Sequence, residues 1–418
     1  MAEVYGSPAS RGLLNNFFLA DHNRKKPGFV DLKTPATKIE TVGLVGLGVM
    51  GQAIMSQCKD KSVQLIGWDS SVDATRIATQ QAESDANVRI ATAIDEISTC
   101  SLVIEAVVER LDVKLELLRK ISQIAATDSI IATNTSTIPL RKLSVVIENP
   151  SRFCGIHFCH PTLMNLVEVI RGETTSDATL SSAVQWARQL GKTTVVVRDA
   201  PGFVVNRILA ALLDSAMRLY VAGQSIKNID SILRKFGFMS GPFEMIDLIG
   251  IDTTIFAGQS LLTSSVPQVS RLPLLPRLLR SGRLGRKNLR GFYRYDERTG
   301  PPIADPAVDE ILIGYRELPG EPLEPQLIEN RMLTAMLIAA GSVLEEGTAA
   351  DPRDIDLCTI QGLSFPAFEG GLLFWADQQQ ADSLASAIDW NCLAHPEIVL
   401  SKPMRDWFAG KAKFHQQN

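Results

Sequence analysis

Val42-Gly43-Leu44-Val45-Gly46-Leu47-Gly48-Val49-Met50-Gly51 is the stretch on which the reading of this chain turns. Val42 to Val45 read as a short buried strand, three glycines follow at once, and the pattern from Ala53 onward is helical. In that context each glycine has a physical task. Gly46 permits a tight turn, Gly48 lets the backbone approach a pyrophosphate, and Gly51 allows close contact between helix and sheet. The phosphates of a dinucleotide would rest on the helix N-terminus. A second apolar run, Val63 to Trp68, ends in Asp69. A carboxylate there accepts hydrogen bonds from the adenosine ribose hydroxyls and repels a 2′-phosphate, so NAD is expected over NADP. Arg76 is the nearby residue that pulls the other way.

Further strands are expected at Leu102–Ile104, Ile130–Ala132, Phe153–His157, Leu166–Ile170 and Thr194–Val197. Strands alternating with helical segments predict an α/β fold, a mostly parallel, doubly wound Rossmann-type sheet over 39–200. Beyond Pro201 the pattern turns helical and repeats itself. Asn206-Arg207 opens an apolar run reaching Gly223, and Asn330-Arg331 opens another reaching Gly347. Each is followed by an Ile-Asp pair (Ile229-Asp230, Ile355-Asp356) and then a turn (Gly241-Pro242-Phe243, Phe365-Pro366-Ala367-Phe368). Two tandem all-α domains, 201–318 and 319–418, are therefore expected. Residues 1–38 read as a helix and linker. Leu13, Leu14, Phe17 and Phe18 share one helical face, and docking of that face on the body is the expectation.

The chemistry-bearing residues cluster next. His157 sits in Arg152-Phe153-Cys154-Gly155-Ile156-His157-Phe158-Cys159-His160-Pro161, and eleven residues later Leu166-Val167-Glu168-Val169-Ile170 carries a carboxylate mid-run. A Glu inside a β-type apolar run would be buried, and a buried charge needs a partner. An imidazole meets that need and is itself oriented and made more basic. A purely structural His–Glu hydrogen bond is the plain alternative.

Gly46 to Gly51, Glu105-Ala106-Val107-Val108-Glu109, Asn134-Thr135-Ser136-Thr137, Gly155 to Ile170, and Asp199 to Arg207 follow one another in the order of a known family. So do Gly241-Pro242-Phe243-Glu244, Gly285-Arg286-Lys287 and Gly291-Phe292-Tyr293. From about residue 10 to about residue 380 the chain resembles the 3-hydroxyacyl-CoA dehydrogenases, specifically the dehydrogenase half of the multifunctional fatty-acid oxidation proteins. The resemblance implies catalytic roles for Ser136, His157, Glu168 and Asn206. His157 would be the general base, Glu168 its orienting partner, and Ser136 and Asn206 donors to the reacting oxygens and the thioester carbonyl. A helix N-cap is the plain reading of Asn206. The resemblance also implies that Met50, Val107, Val108, Glu109, Lys114, Ser136, His160 and Lys287 line the cofactor groove. The helical domains would be like the family's C-terminal domain, the two copies packing together as an internal pseudo-dimer, with the protein a monomer or weak oligomer. In the multifunctional relatives a helix and linker join a hydratase domain to the dehydrogenase; that domain is not in this sequence, so hydratase activity is not expected.

Four departures are visible, one being the segment from Pro161 to Met164, a residue shorter than the family's common pattern. His160 stands where the family usually has Asn. Gln361, a candidate substrate-side residue, stands where multifunctional relatives carry Tyr. The segment between Asp69 and Glu105, which clasps the CoA thioester in typical members, is short. The expected activity is NAD-dependent oxidation of a (3S)-3-hydroxyacyl-CoA to the 3-oxoacyl-CoA, or its reverse, as in fatty-acid β-oxidation. A dehydrogenase for another 3-hydroxy acid or thioester, and a non-catalytic NAD-binding scaffold, are the alternatives.

Composition narrows the rest. At 418 residues, two or three domains are expected. A net charge of −4 gives no basic footprint for nucleic acid. No apolar stretch reads as a membrane span, and the first residues lack the regions of a signal peptide. Six scattered cysteines without a C-x-x-C pair argue against a zinc site or a disulfide scaffold, so no metal is expected, and they fit a reducing cytoplasm.

Overall fold

β1 (Thr41–Val45) is short and almost wholly apolar, because a strand buried on both faces has no solvent side to keep polar. The structure is a computed structural model and describes residues 6–415 apart from 60, 62, 84, 265, 267–268, 270–271 and 317–322. The expected boundary at 318/319 lies outside the described residues. The chain divides into two units. One comprises Phe17–Phe203 with Gly347–Leu363; the other comprises the residues up to Asn16, Val204–Glu346, and those from Ser364 onward.

The first unit is built on a sheet. After β1 come β2 (Gln64–Trp68), β3 (Val88–Ile90), β4 (Leu102–Glu105), β5 (Ile130–Thr133), β6 (Phe153–Phe158), β7 (Leu166–Arg171) and β8 (Thr193–Arg198). Among the described residues they form an eight-stranded sheet ordered β3-β2-β1-β4-β5-β6-β7-β8. Pairing is parallel except between β6 and β7, which are antiparallel. Strand order reverses at β1, and the carboxyl ends of β1, β2, β4, β5 and β6 share one edge. In such sheets that edge at the reversal is where ligands bind. The helices Val49–Cys58, Val72–Ala82 and Asp177–Gln189 bury Ile54, Met55, Ala78, Leu180, Val184 and Trp186 in a core shared with the strands.

Three additions to this unit were not read from sequence, the first being β3, whose three residues Val88-Arg89-Ile90 are too few and too exposed to stand out as an apolar run. The linker after the N-terminal helix runs beside β8: Gly28 bridges to Val196, and Phe29 N donates to Val196 O at 3.0 Å. The helix Pro352–Leu363 packs on β7 and β8, so a segment expected within the second helical copy belongs to the sheet unit by its contacts.

In the helical unit, Val205–Val221 lies against Pro325–Glu345, the two helices that carry the Asn-Arg pairs, although the second starts ahead of its pair, at Pro325. The second also packs on Ala381–Ala394 and Lys402–Phe408. Enclosure explains its composition. It has 21 residues and is long and apolar enough to cross a membrane, contrary to the sequence expectation, but 72% of its most apolar window is buried inside the protein. Asp230 accepts from Phe243 N (2.9 Å), Glu244 N (3.3 Å) and Tyr293 Oη (2.8 Å). Asp247 likewise accepts from Phe292 N, Tyr293 N and Tyr295 Oη. These buried carboxylates hold the turns at Gly241 and Gly291 closed.

The N-terminal helix, Pro8–Lys25, corrects one expectation. Leu13, Leu14, Phe17 and Phe18 are 53–65% exposed, so that face is not the docked one. The docked face carries Gly12, where any Cβ would strike the Phe368 carbonyl at 1.9 Å, and Asn15, which donates to Gly370 O. Close backbone approach needs a glycine there, and an apolar stripe would hold the backbones apart.

Candidate active site

The register of β6 on β7 sets Cα of His157 opposite Cα of Glu168. Directly opposed residues of an antiparallel pair project from the same face, so the two side chains must meet. His157 Nδ1 lies 2.8 Å from Glu168 Oε2, with the His 3% exposed and the Glu fully buried. An ionised Glu168 can only accept, which places the Nδ1 proton between them and leaves Nε2 as the ring's acceptor. The ring of Phe203 sits 5.8 Å from the imidazole, centroid to centroid. Phe203 is buried and holds a φ of +49°, an outlier for a bulky residue. Strain of that kind gathers at functional sites.

Ser136 lies on the loop after β5, the strand beside β6. Asn134 Oδ1 accepts from Phe158 N at 2.9 Å and ties that loop to the end of β6. Glu109, after β4, braces it: one carboxylate oxygen accepts from Thr135 Oγ1 (2.7 Å), Ser136 N (2.8 Å), Thr137 N (2.9 Å) and both the Ser136 and Thr137 hydroxyls (3.2 Å). Its other oxygen lies 3.4 Å from Lys114 Nζ. Burial raises the Glu109 carboxyl, but Lys114, the Thr135 hydroxyl and the backbone donors outweigh it and hold it below its ordinary value.

Lys114 is therefore not an open groove lysine. It is 1% exposed and bonded to Glu105 Oε1 at 2.7 Å and Val107 O at 3.3 Å. Glu105 also accepts from Val107 N and Thr133 Oγ1, both at 2.7 Å. It joins the turn after β4 to β5. A charge ending the apolar run Leu102–Glu105 was the sequence signal for this group, and its partner could be identified only in three dimensions.

The glycine turn has the shape a pyrophosphate requires. Gly46 has a φ of +102°, and a Cβ on Gly51 would meet the Gly46 carbonyl at 1.9 Å. A Cβ on Gly48 would meet nothing within 4 Å, so this backbone stands open to a ligand. Met50 is half-buried in the following helix, and Val107 and Val108 stand at the same edge, Val108 exposed. Asp69 accepts from Leu47 N (2.6 Å) and Ser71 N (2.7 Å), which fixes its carboxylate beside the turn. These residues fit a dinucleotide.

His160, half-buried after β6, has Nδ1 3.3 Å from Thr162 Oγ1, and burial lowers its pKa. Gln361 is half-buried on the helix that covers β7 and β8. Asn206 and Lys287 belong to the helical unit. Asn206 is the second residue of its helix, whose cap is Val204, so the N-cap reading does not hold. Lys287 Nζ donates to Asp252 Oδ1 (2.6 Å) and Thr253 Oγ1 (2.8 Å).

Comparison with known proteins fits this geometry. Residues 41–200 match the 3-hydroxyacyl-CoA dehydrogenase NAD binding domain, and residues 202–295 match the C-terminal domain of the same family. The (S)-3-hydroxybutyryl-CoA dehydrogenase of Ralstonia eutropha is 33% identical, with 62% of this chain and 100% of that one aligned and a TM-score of 0.56. A 3-hydroxybutyryl-CoA dehydrogenase of Escherichia coli aligns over 90% of this chain and 99% of that one at 22% identity, TM-score 0.72. The dehydrogenase part of Caenorhabditis elegans multifunctional enzyme 1 aligns over 96% and 97% at 22% identity, TM-score 0.65. At that identity the last two speak for the fold. With both family domains matched in order, and a relative one-third identical over its whole length, this chain belongs to the 3-hydroxyacyl-CoA dehydrogenase family and carries its NAD-binding domain.

Proposed function

We propose that this chain oxidises (3S)-3-hydroxyacyl-CoA thioesters to 3-oxoacyl-CoA, or runs the reverse reduction, with His157 as the base. The observation that carries the reading is the buried His157–Glu168 pair at the carboxyl edge of an NAD-binding sheet. NAD, when bound, supplies the hydride acceptor. The turn Gly46–Gly51 would receive its pyrophosphate, Asp69 its adenosine ribose, and Val107 and Val108 the groove wall. His157 Nε2 takes the hydroxyl proton, and Glu168 keeps the other ring nitrogen protonated and stabilises the imidazolium that forms. Ser136 donates to the oxygen on which negative charge develops. Asn206, Lys287, His160 and Gln361 enter on the family resemblance alone.

The test is NADH absorbance with a panel of 3-hydroxyacyl-CoA chain lengths and free 3-hydroxy acids. Reduction of NAD by a thioester is expected; no reduction with any thioester would sink the reading. Turnover of free acids alone would instead follow the shortness of the Asp69–Glu105 segment. Among its described residues that segment holds only the helix Val72–Ala82, β3 and a single short turn at Ile94–Ile97.

We also infer that the helical unit is an internal pseudo-dimer of two copies of one domain, which supports a protein that needs no second chain to cover its apolar helices. The packing of Val205–Val221 on Pro325–Glu345 supports this. Deleting residues 319–418 should give insoluble or newly dimeric protein, and a soluble, fully active monomer would count against it.

A further inference from the structure

We propose that His157, Cys159 and Glu168 form an inhibitory site for a soft divalent cation, of which Zn²⁺ is the natural probe. A ring nitrogen of His157, Sγ of Cys159 and a carboxylate oxygen of Glu168 all lie within 4.8 Å of one another. The fold brings them together for a simple reason. Glu168 meets His157 from β7, and Cys159 stands in the bend just after β6, two residues on, where its sulfur reaches the same pair. The sequence shows no metal motif here, because the three ligands come from a strand end and its antiparallel neighbour.

Imidazole, thiolate and carboxylate are a donor set that zinc accepts, with metal–ligand distances of about 2.0–2.3 Å. Tetrahedral ligands at such distances stand about 3.3–3.8 Å apart. His157 Nδ1 and Glu168 Oε2, now 2.8 Å apart, would have to separate by about half an ångström, a side-chain adjustment.

The chemistry makes the site inhibitory. The Cys159 S–H bond breaks as the metal–sulfur bond forms, and that proton leaves to solvent. The proton on His157 Nδ1 is displaced by the metal and is carried instead on Nε2. The dication is then neutralised by one thiolate and one carboxylate, so no net charge stays buried. Nε2, the nitrogen that takes the substrate proton in the proposed mechanism, is masked. The cation is thus no cofactor, since it consumes the hydrogen bond on which the base depends. Cys358, buried on Pro352–Leu363 in the same unit and within reach of the charge of Glu168, serves as the control thiol.

Inhibition rests on the proposed dehydrogenase reading; cation binding does not, and the two are measured separately. The chelator-treated full chain is titrated with Cd²⁺ and followed by its ultraviolet thiolate-to-metal charge-transfer band, while Zn²⁺ is titrated against NADH formation from 3-hydroxybutyryl-CoA. A saturable band is expected, abolished in Cys159→Ser and kept in Cys358→Ser. The Zn²⁺ concentration for half-inhibition should rise about tenfold or more in Cys159→Ser, the order seen when a metal site loses a supporting group. NAD binding serves as the folding check, with Cys159→Ala as a second variant. A band that persists in both Cys159 variants, or that vanishes only in Cys358→Ser, overturns the proposal. A band without any turnover sinks the dehydrogenase reading and leaves the site standing; turnover without the band does the reverse.

Discussion

His157 and Glu168 are opposed in strand register and joined Nδ1 to Oε2 at 2.8 Å, so the orientation of the imidazole is set by backbone pairing before any substrate arrives. Pre-organisation of this kind is what positions a general base.

His157→Ala and Glu168→Gln should therefore each lose turnover by about 10²–10⁴-fold while leaving NAD affinity nearly unchanged. Steady-state rates paired with calorimetric NAD titration separate the two effects. A wild-type kcat in His157→Ala would end the proposed mechanism.

Asp69 should make NAD bind more tightly than NADP. Replacing it with Ala removes the repulsion of a 2′-phosphate and should narrow the preference by about tenfold, some 1.4 kcal/mol. Because Asp69 also receives Leu47 N and Ser71 N, NAD affinity itself should fall as the turn loosens. Comparable dissociation constants for both cofactors in the unaltered chain would contradict this placement.

Much of this was legible in the sequence. Strands reveal themselves as short apolar runs, and the glycine turn carries its own steric logic. The His–Glu pair could be anticipated because a lone carboxylate in an apolar run demands a partner. Lys114 was read as a groove lysine because sequence cannot show that Glu105 and Glu109 enclose it. The N-terminal helix was misread because its buried positions, Gly12, Leu19 and Asn23, include a single large apolar side chain, a weaker signal than the four exposed ones. The helix Pro352–Leu363 was assigned by its repeat spacing, whereas its partner is the sheet, a contact far away along the chain.

Lys114 offers a stability test. Lys114→Met leaves the fully buried charge of Glu105 without its cation, and urea unfolding should show a loss of about 3–5 kcal/mol. Adding Glu105→Gln should recover part of it. A single variant as stable as the unaltered chain would mean the ammonium is not the partner of that carboxylate.

Asp354 gives a pH signature. It is 2% exposed, and its Oδ2 has no hydrogen-bond partner among the described residues. Burial first, and then the charge of Asp351, push its carboxyl up to about 7, against the pull of Arg353 and Lys26. The folded state then holds a proton more tightly than the unfolded chain, so this contribution is fully present below about pH 4 and is lost as pH rises to about 7. Asp354→Asn should flatten that slope and stabilise the protein at pH 8 by on the order of 2 kcal/mol. Urea midpoints at pH 5 and pH 8 decide it; an equal change at both would sever the link to Asp354.

The packing of Pro352–Leu363 on β7 and β8 has a consequence for how the protein is made. The last strand of the eight-stranded sheet ends at Arg198, yet the helix that covers it emerges roughly 150 residues later in synthesis, a separation of the kind that slows folding. During translation the apolar face of β7 and β8 waits uncovered while the first helical stretch is still being extruded, a window in which aggregation competes. The nascent chain thus has its period of greatest exposure after its cofactor-binding strands are complete, and a chaperone that shields β-surface would act then.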